Sequence, residues 1–498
     1  SAASDVYKRQ VYVFNLRGNQ RTSGELSRKE GGKIFGSGSR TPVAITVLVK
    51  KKGVKKDGYV RYYDIGDYLS RTDKLNTISH FESIKNIPWK YLTPNDNNDW
   101  LNQRNPNFMN FIALGDKKKR EKVSVYSDNY SSGLSTNRDV WVYNYSGDKA
   151  KENAERMISF YNSERERCHQ RFNESVIQGI CLSDAKTKAT YIQNIRSNDK
   201  NKISWSRGLF NRLCKNEIID ANDDSRLVMY RPFCKKNLYY NSSIIEMPSR
   251  WKSIYPDKKT ENLVICVSGA PIKKGFSVLM TDCIQDLNLL EHSLCMPLYI
   301  YDKVNDGYDN ELTLFDFLEE NIEYKPKYKK RYAISDSALK KFQERYGSRV
   351  DKESIFYYIY AVLQSKGYVK AYEDNLSKEM PRIPMLDKFM DYVEVGKELA
   401  DLHVNYERCI DPAEIGLIID AVKPDYTVSK MKFKKQGKSV CRDTIIYNEY
   451  ITISNIPERA YEYVINGKSA IEWIVEKYAV TVEKVSGIVD DPNIYQSS

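Results

Sequence analysis

Residues 261–282 read ENLVICVSGAPIKKGFSVLMTD. Two apolar, β-branched runs flank a polar Gly/Pro/Lys turn, the pattern of short strands joined by a loop. The same text recurs on either side as SRLVMYRPF (225–233), KNLYYN (236–241) and MPLYIY (296–301). Residues from about 200 to 310 are therefore expected to be strand-rich, with helices returning after 313. Ser335 should cap a helix carrying Leu339, Phe342 and Tyr346 on one face and closed by Gly347. Ile355, Tyr358, Ile359, Val362 and Leu363 form the apolar stripe of a second helix, ended before Gly367. TIIYNEYITISNI (444–456) predicts a hairpin turning at Asn448-Glu449. Ser469, with Glu472 three residues on, is a capping box opening a last helix that aligns Ile471, Ile474, Val475 and Tyr478. No period of 20–50 residues repeats, which excludes a solenoid.

Nearer the N-terminus, VYVFNL (11–16) and PVAITVLVK (42–50) are strand-length apolar runs, expected in a sheet covered on both faces. A Gly/Ser/Arg-rich loop separates them. Its Gly36-Ser37-Gly38 does not make a GxGxxG turn. A short strand follows in YVRYYD, then a helix from Ser70. Residues 88–135 are Asn/Asp/Lys-rich, an irregular connection with an expected disordered basic tip at Lys117–Arg120, and a helix follows Asp148. The fold class is mixed α/β and α+β.

The 498 residues suffice for two to four domains. Lys+Arg exceed Asp+Glu by 78 to 66, a net +12 that suits a polyanionic partner. Nine cysteines without a CxxC pair suit reduced, mostly buried thiols of a cytoplasmic protein, neither a disulfide framework nor a zinc knuckle. No apolar stretch approaches the ~20 residues that span a bilayer.

No reactive centre emerges. HExxH, Walker A and GxSxG are missing, and His80, His169, His292 and His403 compose no triad. His403 in LADLHVNYE reads as a packed or capping histidine. Asn105–Phe108 (NPNF) imitates the [DN]PP[YF] loop of amino-methyltransferases but lacks the second proline and does not follow a strand. Asp282, Asp286, Glu291 and His292 sit among apolar rows that favour structural hydrogen bonding. What recurs is basic-plus-aromatic text: KKKGVKK (50–56), Lys117–Arg120, YRPFCKKNLYY (230–240), SRWKSIYP (249–256), KPKYKKR (325–331) and KMKFKKQGK (430–438). Cations neutralise phosphates while aromatic rings stack on bases or stiffen loops. Any one run is as readily a solvated face; the set favours double-stranded DNA as partner.

Long stretches resemble one family, the C-terminal part of the type ISP restriction–modification enzymes. They include FNLRGNQRTSGELSRKEGGKIFGSGSRTPVAITVLVK (14–50), YYDIGDYLSRTDKL (62–75), LSTNRDVWVYNY (134–145), FSVLMTDCIQDLNLLEHSLCMPLYIY (276–301) and TIIYNEYITISNIPERAYEYVINGKSAIEWIVEKY (444–478). The resemblance implies a remnant of a methyltransferase-like sheet followed by a multi-lobed α+β specificity region. It divides the chain into final methyltransferase strands (11–75), a connector (76–147), a strand-rich lobe (148–312), a helical lobe (313–425) and a C-terminal hairpin and helix (426–498). It implies that the intact enzyme methylates adenine N6 with S-adenosylmethionine and cleaves unmethylated DNA after ATP- and Mg2+-dependent translocation. The family's cofactor, catalytic, helicase and nuclease motifs lie upstream of Val11, so no catalytic, cofactor or metal residue carries over. The nuclease, translocase and methyltransferase parts would belong to the same polypeptide. Residues 1–10, SAASDVYKRQ, are expected to be translated sequencing adapter, since GATGTGTATAAGAGACAG encodes DVYKRQ.

The recognition part is expected to read base edges with Arg, Lys, Asn and Gln. Loop position, charge and aromatic neighbours select Asn137, Arg138, Arg231, Lys235, Lys236, Arg250, Lys273, Lys274, Lys430 and Lys432. Two other readings stand beside DNA recognition: a self-sufficient methyltransferase with an unusual catalytic loop, and a structural domain whose basic surface serves solubility.

Overall fold

The computed structural model describes residues 10–22, 24–36, 39–49, 59–222, 224–304, 328–408, 416–419, 425–437 and 439–495. They form two compact units. The smaller holds the described residues up to Phe111 together with Ala270–Phe276 and Lys366–Arg382; the larger holds the rest. The units are discontinuous in sequence: Ala270–Phe276 and Lys366–Arg382 return to the smaller one.

In the smaller unit β1 (Gln10–Arg17) lies between β2 (Val43–Val49), antiparallel to it, and β3 (Tyr59–Asp64), parallel to it. A helix, α1 (Arg71–Phe81), leads to β4 (Lys90–Leu92), which closes the order β2-β1-β3-β4. The capping box of α1 is complete: Ser70 accepts from the Asp73 amide, and Asp73 accepts from the Ser70 amide. Phe81 at its far end meets Phe14 and Tyr63 edge to face, with ring centroids 6.0 and 5.3 Å away. Lys74, fully buried, donates to the carbonyls of Glu30 and Gly32 at 2.7 and 2.9 Å and so ties the loop ahead of β2 to the helix. The expectation of two strands covered on both faces holds for β1, where Val11, Phe14 and Leu16 are buried. It fails for β2, whose Val47, Leu48 and Val49 are exposed. β2 is an edge strand, and an unbroken apolar run does not say whether one neighbour or two will flank it.

The larger unit begins with helices α2 (Gly147–Ile177), α3 (Ala185–Ile195) and α4 (Arg207–Cys214). Strands β5 (Ser225–Arg231), β6 (Cys234–Tyr239), β7 (Val264–Val267), β8 (Val278–Thr281), β9 (Ile284–Gln285) and β10 (Leu294–Pro297) follow. The opening stretch becomes the antiparallel pair β7–β8, Val264 facing Thr281 and Val267 facing Val278, with every residue of both strands buried. β10 pairs with the other edge of β7, and β5, β6 and β9 build a second sheet in the order β9-β5-β6, completed by the short strand Tyr143–Asn144 beside β6. The tip at Lys117–Arg120 is an ordered turn, not the disordered one expected: Asp116 accepts from the amides of Lys118 and Glu121, and the Lys117 ammonium lies 4.5 Å from the Tyr130 ring centre. α2 runs well past the segment its periodicity marks. One face of its charged second half is internal: Glu164 accepts from Arg167, and His169 bonds the Leu213 carbonyl at 2.6 Å.

A hairpin, β11 (Tyr299–Lys303) and β12 (Tyr328–Tyr332), precedes α5 (Asp336–Tyr346), α6 (Lys352–Gln364) and α7 (Phe389–Val404). Ser335 caps α5 and Gly347 ends it at φ +98°, as its sequence requires. α6 is buried nearly all round and packs on α7 so closely that a Cβ at Gly396 would stand 2.1 Å from the Tyr357 carbonyl oxygen. The last layer is β13 (Gly416–Ile419), β14 (Lys432–Gln436), β15 (Ser439–Ile446) and β16 (Ile451–Ser454) in the order β13-β16-β15-β14, with α8 (Ala470–Lys477) behind it. The Ser469–Glu472 box opens α8. Among the described residues no helix is long and apolar enough to cross a membrane.

Candidate nucleic-acid interface

The loop Thr136–Asp139 sits where the chain turns from an irregular segment into the short helix Asp139–Val142. Thr136 braces it twice, donating to Asp139 and accepting from the Arg138 amide at 3.1 Å. Asn137 at the apex adopts φ +56°, a conformation asparagine tolerates better than most residues, and its side chain is exposed. Its neighbour turns inward. Arg138 is buried, donating from Nη2 to Ser206 Oγ at 2.5 Å and from Nε to the Ser204 carbonyl, with the Glu246 carboxylate 3.9 Å away. Burial lowers its guanidinium pKa to about 10, against the pull of Glu246. Arg138 therefore ties the loop to α4 and is buried, not exposed as the loop position for which it was selected implied.

Three further selected cations are committed to internal partners. Arg231 donates to Asp286 Oδ1 at 2.8 Å, lies over the Tyr230 ring at 3.9 Å and stands 4.0 Å from Asp139. Asp286 also accepts from the Tyr143 hydroxyl at 3.1 Å. Burial raises the Asp286 pKa to about 6, opposed by Arg231. Lys235 is buried between the carboxylates of Glu407 at 3.6 Å and Asp282 at 3.9 Å. Lys236 bonds Asp490 beneath the rings of Tyr145 and Tyr230. A strand alternates its side chains between faces, and these strands direct their basic residues into polar seams. Aromatic neighbours, the cue for a nucleic-acid surface, here mark cation–π packing in the interior.

The remaining candidates are placed outward. Lys430 and Lys432 are exposed on and before β14, while the alternate residues Met431 and Phe433 pack into the small core with Tyr461. Arg250 is exposed and donates to the Asp128 carbonyl at 2.5 Å. In the smaller unit Lys273 is exposed and Lys274 half-buried, on a loop anchored by the Ile272 amide to the Ser377 carbonyl at 2.9 Å. The outward group is thus Asn137, Arg250, Lys430 and Lys432 on the larger unit, and Lys273 with Lys274 on the smaller.

Asn137 stands at the rim of a cleft of about 590 Å3 lined by Trp141, Arg196, Asn198, Lys200 and Trp205. Sequence reasoning does not select Arg196, Asn198 or Lys200. The signal that could have found them is the basic-aromatic stretch YIQNIRSNDKNKISW (191–205), which has the character of the six runs above without a cluster of adjacent lysines.

The methyltransferase-like NPNF segment is a 3-10 turn. The Asn105 side chain accepts from the Asn107 amide, and Phe108 is fully buried against Phe111 and Tyr372. Neither is free to hold an extruded adenine, so the segment does not fit a catalytic loop. Among the described residues no group of three or more His, Cys, Asp or Glu is placed to hold a metal ion.

Sheets with short strands, helical spacers and outward basic loops define an α+β binding region of modular build. Residues 126–498 match the type ISP C-terminal specificity domain, and the chain belongs to that family. Among solved structures it is similar to a nuclease-deletion mutant of the type ISP restriction-modification enzyme LlaGI in complex with a DNA substrate mimic (40% identity, TM-score 0.81, 100% of this chain and 35% of that one). It is also similar to the ATP-dependent type ISP enzyme LlaBIII bound to DNA (34%, 0.82, 99% and 29%) and to DrdV in a DNA complex (25%, 0.78, 98% and 44%). The chain thus spans less than half the length of these relatives. No curated protein matches it.

Proposed function

We propose that this chain is the DNA sequence-recognition part of a cytoplasmic restriction–modification enzyme. The intact enzyme would methylate adenine N6 with S-adenosylmethionine and cleave unmethylated DNA after ATP-driven translocation. The observation that carries this reading is the match along the whole chain to a LlaGI structure holding a DNA substrate mimic. Outward Lys430, Lys432, Lys273 and Arg250 would neutralise phosphates, and Asn137 on its braced loop would meet a base edge. Arg138, Arg231, Lys235 and Lys236 would position that surface from beneath.

The test is duplex binding across a salt series. Affinity should fall linearly with salt on a log–log plot, with a slope of about −0.9 per phosphate neutralised. Affinity unchanged between low and moderate salt would remove the proposal.

A further inference from the structure

The cleft beside Asn137 has an electrostatic imbalance that its neighbour lacks. Two acidic side chains line it, and both are already satisfied by this fold. Asp139 accepts from Thr136 and, at 3.1 Å, from the Tyr230 hydroxyl. Glu483 accepts from the amides of Val485 and Ser486 in its own turn. Of the lining cations, Arg138 is bonded to Ser206 with Glu246 3.9 Å away, but Arg196 and Lys200 are not matched in this way. Arg196 donates from Nε to Gln193 Oε1 at 3.1 Å, but its Nη1 is buried without a hydrogen-bond partner among the described residues, while the guanidinium stacks over Trp205 and Phe210 at 5.0 and 5.4 Å. Lys200 is exposed and has no ion pair among the described residues. Burial lowers the Arg196 pKa, against the more distant pull of Cys168, Cys214 and Glu164. The adjoining cleft, about 370 Å3, is the contrast: its Lys236 is bound to Asp490 and its Lys477 to Glu476 at 2.8 Å. Of the two, only the first combines unmatched positive charge, two tryptophan rings and the amides of Asn137 and Asn198.

We propose that this cleft seats a single nucleotide of one DNA strand, its phosphate on Arg196 and Lys200 and its sugar–base portion toward Trp205 and Asn137. The assignment rests on the DNA-recognition reading and adds to it a phosphate subsite. Trp205 is held for this role by its indole N–H, which donates to the Ser197 carbonyl at 2.8 Å. Lys200 presents the exposed charge, and Arg196 adds a guanidinium whose Nη1 has no hydrogen-bond partner among the described residues.

The experiment measures binding of a fluorescein-labelled duplex of random sequence by anisotropy over a salt series, for the full chain and three variants. Lys200→Glu alters an exposed residue, so folding is preserved. Arg196→Gln removes the buried charge, and Lys340→Glu on α5 makes the same charge change far from the cleft in sequence. Losing one phosphate contact should reduce the salt slope by about 0.9 and the affinity near 0.1 M salt by about eightfold. Lys200→Glu and Arg196→Gln should show at least this loss, and Lys340→Glu should retain the parent slope. Lys200→Glu matching Lys340→Glu, with the parent still salt-dependent, would overturn the cleft assignment alone. A parent chain with no salt dependence would overturn the recognition reading, and the cleft assignment with it.

Discussion

Arg231→Met isolates the buried network that supports the Asn137 loop. Arg231 is the cation beside Asp286, whose side chain is 1% exposed. Removing one member of a buried pair leaves the other uncompensated, which typically costs about 3–5 kcal/mol. Here protonation of Asp286 sets a ceiling. Its pKa in the intact fold is about 6, above the ordinary carboxylate value. In the parent chain this raised value makes Asp286 a source of stability that is fully present at low pH and lost as pH rises from about 4 through 6. Below pH 6 the group is neutral, and Arg231→Met forfeits only hydrogen bonds and packing. Above pH 6 the variant must keep Asp286 protonated or bury its charge unpaired. The additional loss therefore grows by at most ~1.4 kcal/mol per pH unit, about 2.7 kcal/mol at pH 8. Urea unfolding at pH 5.5 and pH 8 measures this, and with m near 3 kcal/mol/M the midpoint difference should widen by roughly 1 M. A destabilisation equal at the two pH values would refute the charge-pair reasoning. Asp286→Asn in the same background should abolish the pH dependence, because the amide cannot ionise.

His403 is buried, bonded to Tyr360 and stacked on Tyr463, and burial lowers its pKa to about 4. The unfolded chain takes up its proton first, so stability should fall by up to about 3 kcal/mol between pH 6.5 and 4, and His403→Phe should flatten that acid limb in denaturant titrations. Lys430→Ala with Lys432→Ala should leave the melting temperature unchanged yet reduce the salt slope of duplex binding by up to about 1.8. Ser469→Ala removes the α8 cap at a fully buried position and should cost about 1–2 kcal/mol, read as a lower urea midpoint; Ser469→Asp should recover part of it. Asn137→Ala should relax preference at one base without altering binding to random duplexes, measured by selecting bound sequences from a random pool.

The features that could be read in advance share a short range. Ser70 with Asp73, Ser335 before α5 and Ser469 with Glu472 each need a partner within three residues, and all three caps are formed. The hairpin at 448 and the stripe on α6 are local in the same sense. Partner choice by the cations is not. Arg138 meets Glu246 across 108 positions and Lys236 meets Asp490 across 254, so nothing beside either residue distinguishes it from outward Lys430 or Lys432. In both settings an aromatic ring stands near a cation, because tyrosine stabilises a buried ammonium as readily as it stacks on a base. The discriminating quantity is the number of carboxylates reaching each cation in three dimensions. By that measure Lys235 and Lys236 are held by internal carboxylates, while Arg196 and Lys200, in a stretch with no lysine run, have no ion pair among the described residues. A basic-aromatic pattern therefore marks where cations are held in this chain, and the long-range carboxylates decide which of them remain free to meet phosphate.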